Sequence, residues 1–581
     1  MTDSLNPDVI YHHGKIYTAD RNDSFCEAIA FKNGYITATG ASRELLKLAG
    51  PLTEIVDLNQ RVALPGLIDS HMHPFWGGKQ LRGCHLDYAA LTVEETLARI
   101  QKHLDADPLK EQDDWLTVRA WQRQAMVPAG ADMSRRALDT LNTRRPVVLF
   151  SNDCHTLAAN SRALQMLGID ESTPVPADGK IGRDADGRLN GILEDAPAMR
   201  AFDSIPTGTP AQCALIARHV QQVLNQQGVT TVMDTRVDEE PLRAFAALRD
   251  GGELTIRLCG AREITPDSVS GPEDARRALE EIVAFNQRWN DPVWQPAPGF
   301  GLSHVKFFVD GVLQPPTMTA SLLEPYRKNQ GTHARPDWQP TATDSYGDLY
   351  FSREVLNALI HECGRAGVHP HLHTVAEGAI EMALDALSAM RQAWPEKDVR
   401  PGLAHNELVA AHQYARFAAL GAAAVLSYQW AGLPAVLIDE ERAMLGEARF
   451  QHLEPQGRFL DAGVRLAYGS DWPIDRLDEW YNLQVAMTRR AWDSEGQPAG
   501  PRLDNDRNLT LTEALRSATI DAAWMIARDG EIGSLEPGKL ADMIILQDDI
   551  FSRPPETLFS TRVACTIVGG KVVWQARAAT L

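Results

Sequence analysis

The stretch LPGLIDSHMHP, Leu64 to Pro74, decides how the rest of this 581-residue chain is read. Pro65 and Gly66 interrupt what comes before, and the apolar run after them ends in His71 and His73. Residues two apart on an extended backbone face the same side, so the pair presents two imidazoles in one direction. An HxH pair at a strand end is more often structural than metal-binding. Its meaning depends on what other strands bring beside it.

Downstream, apolar strand-like runs alternate with helical patterns, which predicts βα units and a parallel sheet. With GLIDSH (66–71) the candidate strands are TTVMDTR (230–236), TIRLCGA (255–261), HVKFFVDG (304–311), VHPHLHTV (368–375), PGLAHN (401–406), AAAVLSYQ (422–429) and RLAYGSDW (465–472). Eight is the count of a (β/α)8 TIM-like barrel, expected here over 66–526. Roughly 160 residues separate the first two candidates, far too many for a βα loop. An inserted α/β subdomain is therefore expected over about 77–215, with RPVVLFSNDCHTLAANSRAL reading as strand, loop and helix. Both ends of the chain read as short strands, with turns at Asn33-Gly34 and Gly569-Gly570. A small β-sandwich domain built from 1–65 and 527–581 follows.

A formal net charge of −20, with no long run of Lys or Arg, argues against nucleic acid or an anionic membrane as partner. The seven cysteines (26, 84, 154, 213, 259, 363, 565) are scattered and form no CxxC, so buried thiols in a reducing compartment are expected. The start MTDSLNPDVIYHH lacks a basic and an apolar region, so no signal peptide is read there. Phe417 to Ile438 is uncharged and long enough to span a bilayer, but Gly421, Gly432, Pro434 and the polar SYQW fit a helix end and a buried strand better. A cytoplasmic, homodimeric enzyme is the expectation.

Metal-competent residues fall at the C-terminal ends of the candidate strands. His373 ends VHPHLH, His405 ends PGLAH and Asp471 ends RLAYGSD, while Lys306 sits inside the apolar HVKFFVD. In a barrel of this class that rim is where catalysis occurs. Each residue alone has a bland explanation: a lone strand histidine is usually hydrogen-bonded core, an aspartate after Gly-Ser caps a helix, and a strand lysine snorkels. Four histidines, an aspartate and a buried lysine on one rim are harder to dismiss together. Neutral imidazoles and a carboxylate suit Zn²⁺ or a similar divalent ion. An ammonium has no lone pair to offer. Burial favours the neutral amine, which takes up carbon dioxide to give a carbamate able to bridge two metals.

The ordered set LPGLIDSHMHP, VKFFVDG, HLHTVAEGA, GLAHNEL, YGSDWPI and IGSLEPGKLADMIIL resembles the amidohydrolase superfamily of metal-dependent hydrolases. Within it, the chain looks like the large-insert subgroup that includes N-substituted formamide deformylase. The resemblance implies metal ligands at His71, His73, Lys306 (as N6-carboxylysine), His373 and His405, with Asp471 as metal-proximal general base. It implies two Zn²⁺ per chain and a bridging hydroxide that cleaves a C–N bond in an amide, N-substituted formamide or cyclic amide. Relatives tend to read HAIGD where this chain has HTVAE, with Glu377, and EHA where it has AHN, with Ala404 and Asn406. Those changes touch the ligands' surroundings and hence substrate preference.

Other residues are placed more loosely. His369 and His371 share a face with His373 and read as packing or support rather than ligation. Asp310 either orients the carbamate or fixes its loop. His155 resembles a family position that reaches toward the site from the insert. Trp76, Trp121, Trp430 and Trp472 are candidates for the wall of an apolar pocket. Two rival readings stand beside the binuclear hydrolase: a mononuclear deaminase or ester/halide hydrolase on the same barrel, and a non-catalytic regulatory protein.

Overall fold

The computed structural model describes residues 6–577 except 82, 107–113, 152–154, 175–178, 207, 316 and 333–334. Eight strands make one sheet whose spatial order is their order in the chain. They are β1 (Leu67–Met72), β2 (Val229–Asp234), β3 (Arg257–Glu263), β4 (Phe300–Phe308), β5 (His369–Thr374), β6 (Gly402–His405), β7 (Ala423–Leu426) and β8 (Leu466–Tyr468). All seven ladders are parallel. Both faces of such a sheet are covered, which explains the near-continuous apolar runs. All eight expected strands are present, the fourth starting and ending a few residues early.

The seam between β8 and β1 closes through other groups. Ser70 Oγ donates to the Tyr468 carbonyl at 2.6 Å, the Ser470 N–H donates to the Asp69 carboxylate at 3.1 Å, and the Asp471 N–H donates to the His71 carbonyl at 2.8 Å. The backbones come so close that a Cβ on Gly469 would lie 2.4 Å from that of His71. Only glycine fits there.

The insert is a mixed six-stranded sheet running from Cys84–His85 through Leu116–Trp121, Val147–Ser151 and Thr156–Ala159 to Leu189–Asp195 and Gly179–Arg183. Its end differs from the expected 215. The helix Pro210–Gln227 starts at a capping box formed by Thr209 and Gln212, and buries Ile216, Val220 and Leu224 in the main core around the barrel. That helix belongs to the barrel's outer layer because its apolar stripe matches the barrel and not the insert.

In the terminal domain, Val62–Pro65 lies between Lys15–Tyr17 (parallel) and Met543–Leu546 (antiparallel), so strands from both ends share one sheet. A second sheet holds Tyr35–Gly40, Ala28–Lys32, Val9–His12 and Glu54–Asp57. Residues 417–438 divide into a helix end, β7, a short 3-10 turn and the start of the helix Ala435–Leu445. Among the described residues no helix is long and apolar enough to cross a membrane. The six described cysteines are unpaired and all but Cys26 are buried; Cys154 lies outside the described residues. Two features were not anticipated: a long excursion between β4 and β5 carrying the ribbon Arg327–Asn329/Trp338–Ala342, and the helix Ala435–Leu445 after β7.

Candidate metal centre

The C-terminal rim collects the groups marked in the sequence. His71 lies near the end of β1 and His73 just beyond it, at the start of the helix Pro74–Gln80. Asp471 follows β8. Zipper-like bonds join the two segments, the Asp471 N–H to the His71 carbonyl and the His73 N–H to the Trp472 carbonyl, both 2.8 Å. One ligand atom from each of His71, His73 and Asp471 lies within 4.8 Å of the others. Asp471 Oδ1 is 3.4 Å from His71 Nε2 and 3.5 Å from His73 Nε2, and its Oδ2 is 4.0 Å from His405 Nδ1. The His405 ring lies 4.9 Å from that of His71 and 4.3 Å from that of His373. Asp471 and His405 hold positive φ angles of 57° and 81°. A non-glycine residue occupies this region only where its surroundings enforce it, as sites often do.

Burial sets the charge states. His71, His373 and His405 are pushed well below the ordinary histidine range, chiefly by loss of water and, for each, also by Lys306. They are neutral imidazoles, the form that binds a metal. Lys306 on β4 is fully buried and is brought down to about 7, again by burial, against the opposing pull of Asp471 and Glu263. Its Nζ has no hydrogen-bond partner, and neither do His405 Nδ1 and Asp471 Oδ1. Buried polar atoms are rarely left so. Three such atoms among neutral imidazoles are what a bound cation would satisfy. His71, His73, Lys306, His373, His405 and Asp471 thus offer a donor set that fits divalent ions.

Supporting contacts select which ring atoms are available. His371 Nε2 is 2.8 Å from His71 Nδ1. In the tautomer in which His71 donates through Nδ1, its Nε2 lone pair faces Asp471. His373 donates through Nε2 to the Gly311 carbonyl at 3.1 Å, leaving Nδ1 with the lone pair. Such partners fix ring orientation and raise ligand basicity. The expectation of a supporting role for His371 agrees with this geometry. His369 instead accepts the Arg400 N–H through Nδ1 at 3.1 Å, on the side away from the rim.

The more loosely placed residues separate. Trp430 stacks on His405, with centroids 5.2 Å apart and planes at 18°, and donates through Nε1 to Asp475 at 2.8 Å. Trp76 is 5.5 Å from His73 and packs on Phe150 and Phe202 of the insert. Trp472 is buried with its indole against Gly77. His155 pairs with Asp195 of the same insert, 2.9 Å away. Trp121 is a correction: it lies in the insert's own core, its Nε1 3.2 Å from Met126 Sδ. Asp310 is another. It accepts the N–H groups of Ser321, Val375 and Ala376 and therefore ties the loops after β4 and β5, while burial lifts it to about 8.

Two carboxylates escaped the sequence reading. Asp69 is fully buried and accepts the His71 and Ser470 N–H groups; the period-2 face shared by Asp69, His71 and His73 was the signal for it. Asp234 at the end of β2 lies 3.9 Å from His73 Nδ1 and is pushed up to about 6 by burial.

A closed parallel barrel with histidines, a lysine and a carboxylate at its C-terminal rim defines the class of metal-dependent barrel hydrolases. The sequence pattern of the amidohydrolase family matches residues 54–574, and the chain belongs to that family. YtcJ of Bacillus subtilis (strain 168) is 26% identical over 97% of this chain and 99% of its own. N-substituted formamide deformylase of Arthrobacter pascens is 24% identical over 97% of each chain. A metal-dependent hydrolase from Pyrococcus horikoshii OT3 superposes with a TM-score of 0.70 at 22% identity, over 94% of this chain and 99% of that one.

Proposed function

We propose that this amidohydrolase cleaves a C–N bond in a small, partly apolar amide, formamide or cyclic amide, using two divalent ions held at the rim. The observation that carries this is the convergence of partnerless buried atoms on Lys306, His405 and Asp471 beside His71 and His73. His71, His73, His373, His405, Asp471 and a carboxylated Lys306 would hold the ions, for which this donor set suits Zn²⁺. When bound, such ions polarise a carbonyl and make a neighbouring water more acidic.

The chain's own groups do the rest. Asp471 takes a proton from the attacking water and returns it to the departing nitrogen, so a C–O bond forms, the C–N bond breaks and an amine leaves. His371 and the Gly311 carbonyl hold two of the imidazoles in orientation. Trp430, lying flat on His405, and Trp76, bridging to the insert, keep that side of the centre apolar. The full-length similarity to a formamide deformylase supports an N-substituted formamide as the first substrate to try.

The test is metal analysis of the purified chain together with a panel of N-substituted formamides, amides, lactams, esters and aminated heterocycles. Two ions per chain and turnover of amides or formamides support the assignment. One ion, unaffected by Lys306→Ala, with turnover of aminated heterocycles or esters, replaces it with the mononuclear alternative. A metal-loaded chain inert to the whole panel favours a regulatory protein.

A further inference from the structure

We propose that His12, His13 and Asp57 form a second divalent-metal site, on the outer surface of the terminal β-domain and separate from the barrel rim. One ligand atom from each lies within 4.8 Å of the others. His13 Nδ1 is 3.1 Å from Asp57 Oδ2, and the two imidazoles meet edge to face at 4.2 Å between centroids. Two ligands about 2.1 Å from one tetrahedral ion stand roughly 3.4 Å apart, so the site closes with little movement.

Neighbouring residues in a regular strand point to opposite faces, and His12 and His13 do so until the backbone turns. His13 has φ 54°, which swings its ring to the side of His12. The turn is held from three directions. The His13 N–H donates to Ser42 Oγ at 3.0 Å, and the Leu58 and Gln60 N–H groups donate to the His12 and His13 carbonyls at 2.8 and 2.7 Å. His12 and Asp57 are direct partners in a parallel ladder. The Asn59 N–H donates to Asp57 Oδ1 at 2.8 Å, which leaves Oδ2 facing the rings.

His12 adds an independent sign. It is only 8% exposed, and its Nδ1 is buried without a hydrogen-bond partner. Two imidazoles and one carboxylate select a borderline transition ion such as Zn²⁺ over Mg²⁺ or Ca²⁺. The ion would clip the edge strand Glu54–Asp57 to Val9–His12, with water completing its coordination. Its role is to hold the domain edge, not to take part in the reaction.

The experiment uses the full-length chain with its barrel centre loaded, dialysed against Zn²⁺ buffers and compared with His13→Asn and Asp57→Asn. Asparagine tolerates positive φ and matches aspartate in shape, so both variants keep the local backbone. The wild type is expected to hold one Zn²⁺ more than either variant at micromolar free metal. The extra site should weaken at least tenfold in each variant, and the zinc-dependent rise in Tm should disappear, with hydrolysis unchanged. Equal zinc content and equal Tm in all three chains would overturn the proposal.

Discussion

Two places in this molecule offer two histidines and an aspartate within reach of one ion, and they differ in nearly everything else. At the rim, His71, His73 and Asp471 are 2%, 8% and 5% exposed. On the β-domain His12 is equally buried at 8%, but its two partners are open to water, with the side chains of His13 and Asp57 52% and 44% exposed. Water around His13 and Asp57 leaves an ordinary surface pair that adds little to stability. Asp57 is held below the usual carboxylate range, first by the Asn59 N–H and then by His13. Without water, the imidazoles of His71, His373 and His405 lose their charge, a lysine approaches neutrality, and polar atoms remain unsatisfied. The same residue types make a clip in one place and a chemically poised centre in the other. Burial is the difference.

The strongest way to break that contrast is Lys306→Ala. It should reduce metal content and abolish measurable hydrolysis, with partial recovery when a short carboxylate such as formate or propionate is added; unchanged metal and rate would remove the bridging role. Asp471→Asn comes next. It should keep metal, by elemental analysis, and lose roughly 10²–10⁴-fold in kcat as a proton-transfer group does. His371→Ala should weaken metal binding about 10–100-fold in chelator competition, because it removes the partner that orients His71. A normal affinity would reduce His371 to packing.

The smallest effect concerns stability. Glu441 is buried beside Glu407 and Gln314, and burial pushes it up to about 8. Because that value lies above the unfolded one of 4.5, its protonated form favours the fold. The stability it contributes is complete below about pH 4.5 and is lost as pH rises to about 8. Glu441→Gln should therefore flatten the loss across that window and raise Tm at pH 8 by about 1 °C, equivalent to about 1 kcal/mol for a chain of this length. A Tm difference of the same size at pH 5 would point to packing instead. Asp57 has the opposite sign: its lowered value makes its contribution present near neutrality and lost in acid.

Much of the barrel was legible because parallel strands buried on both faces leave apolar runs, and eight of them end where polar residues begin. The two ends of the chain showed their strands through turns such as Asn33-Gly34. The mouth was less legible. The excursion between β4 and β5 and the helix Ala435–Leu445 pack by contacts distant in sequence. Trp121 and Trp430 illustrate the limit: the same residue type fills the insert's core in one case and stacks on His405 in the other. Only neighbours brought by other segments distinguish them.

By itself, the sequence determined the strand count, the order of the metal-competent residues along the chain, and the pairing of His71 with His73 on one face. Those follow from local periodicity, which each strand carries alone. The tertiary structure decided which ring nitrogens face the centre, that Asp310 serves the loops, that Asp69 supports His71 and Ser470, and that the barrel closes where Gly469 meets His71. Each of these depends on loss of water and on distances between segments up to hundreds of residues apart, and neither is written in local pattern.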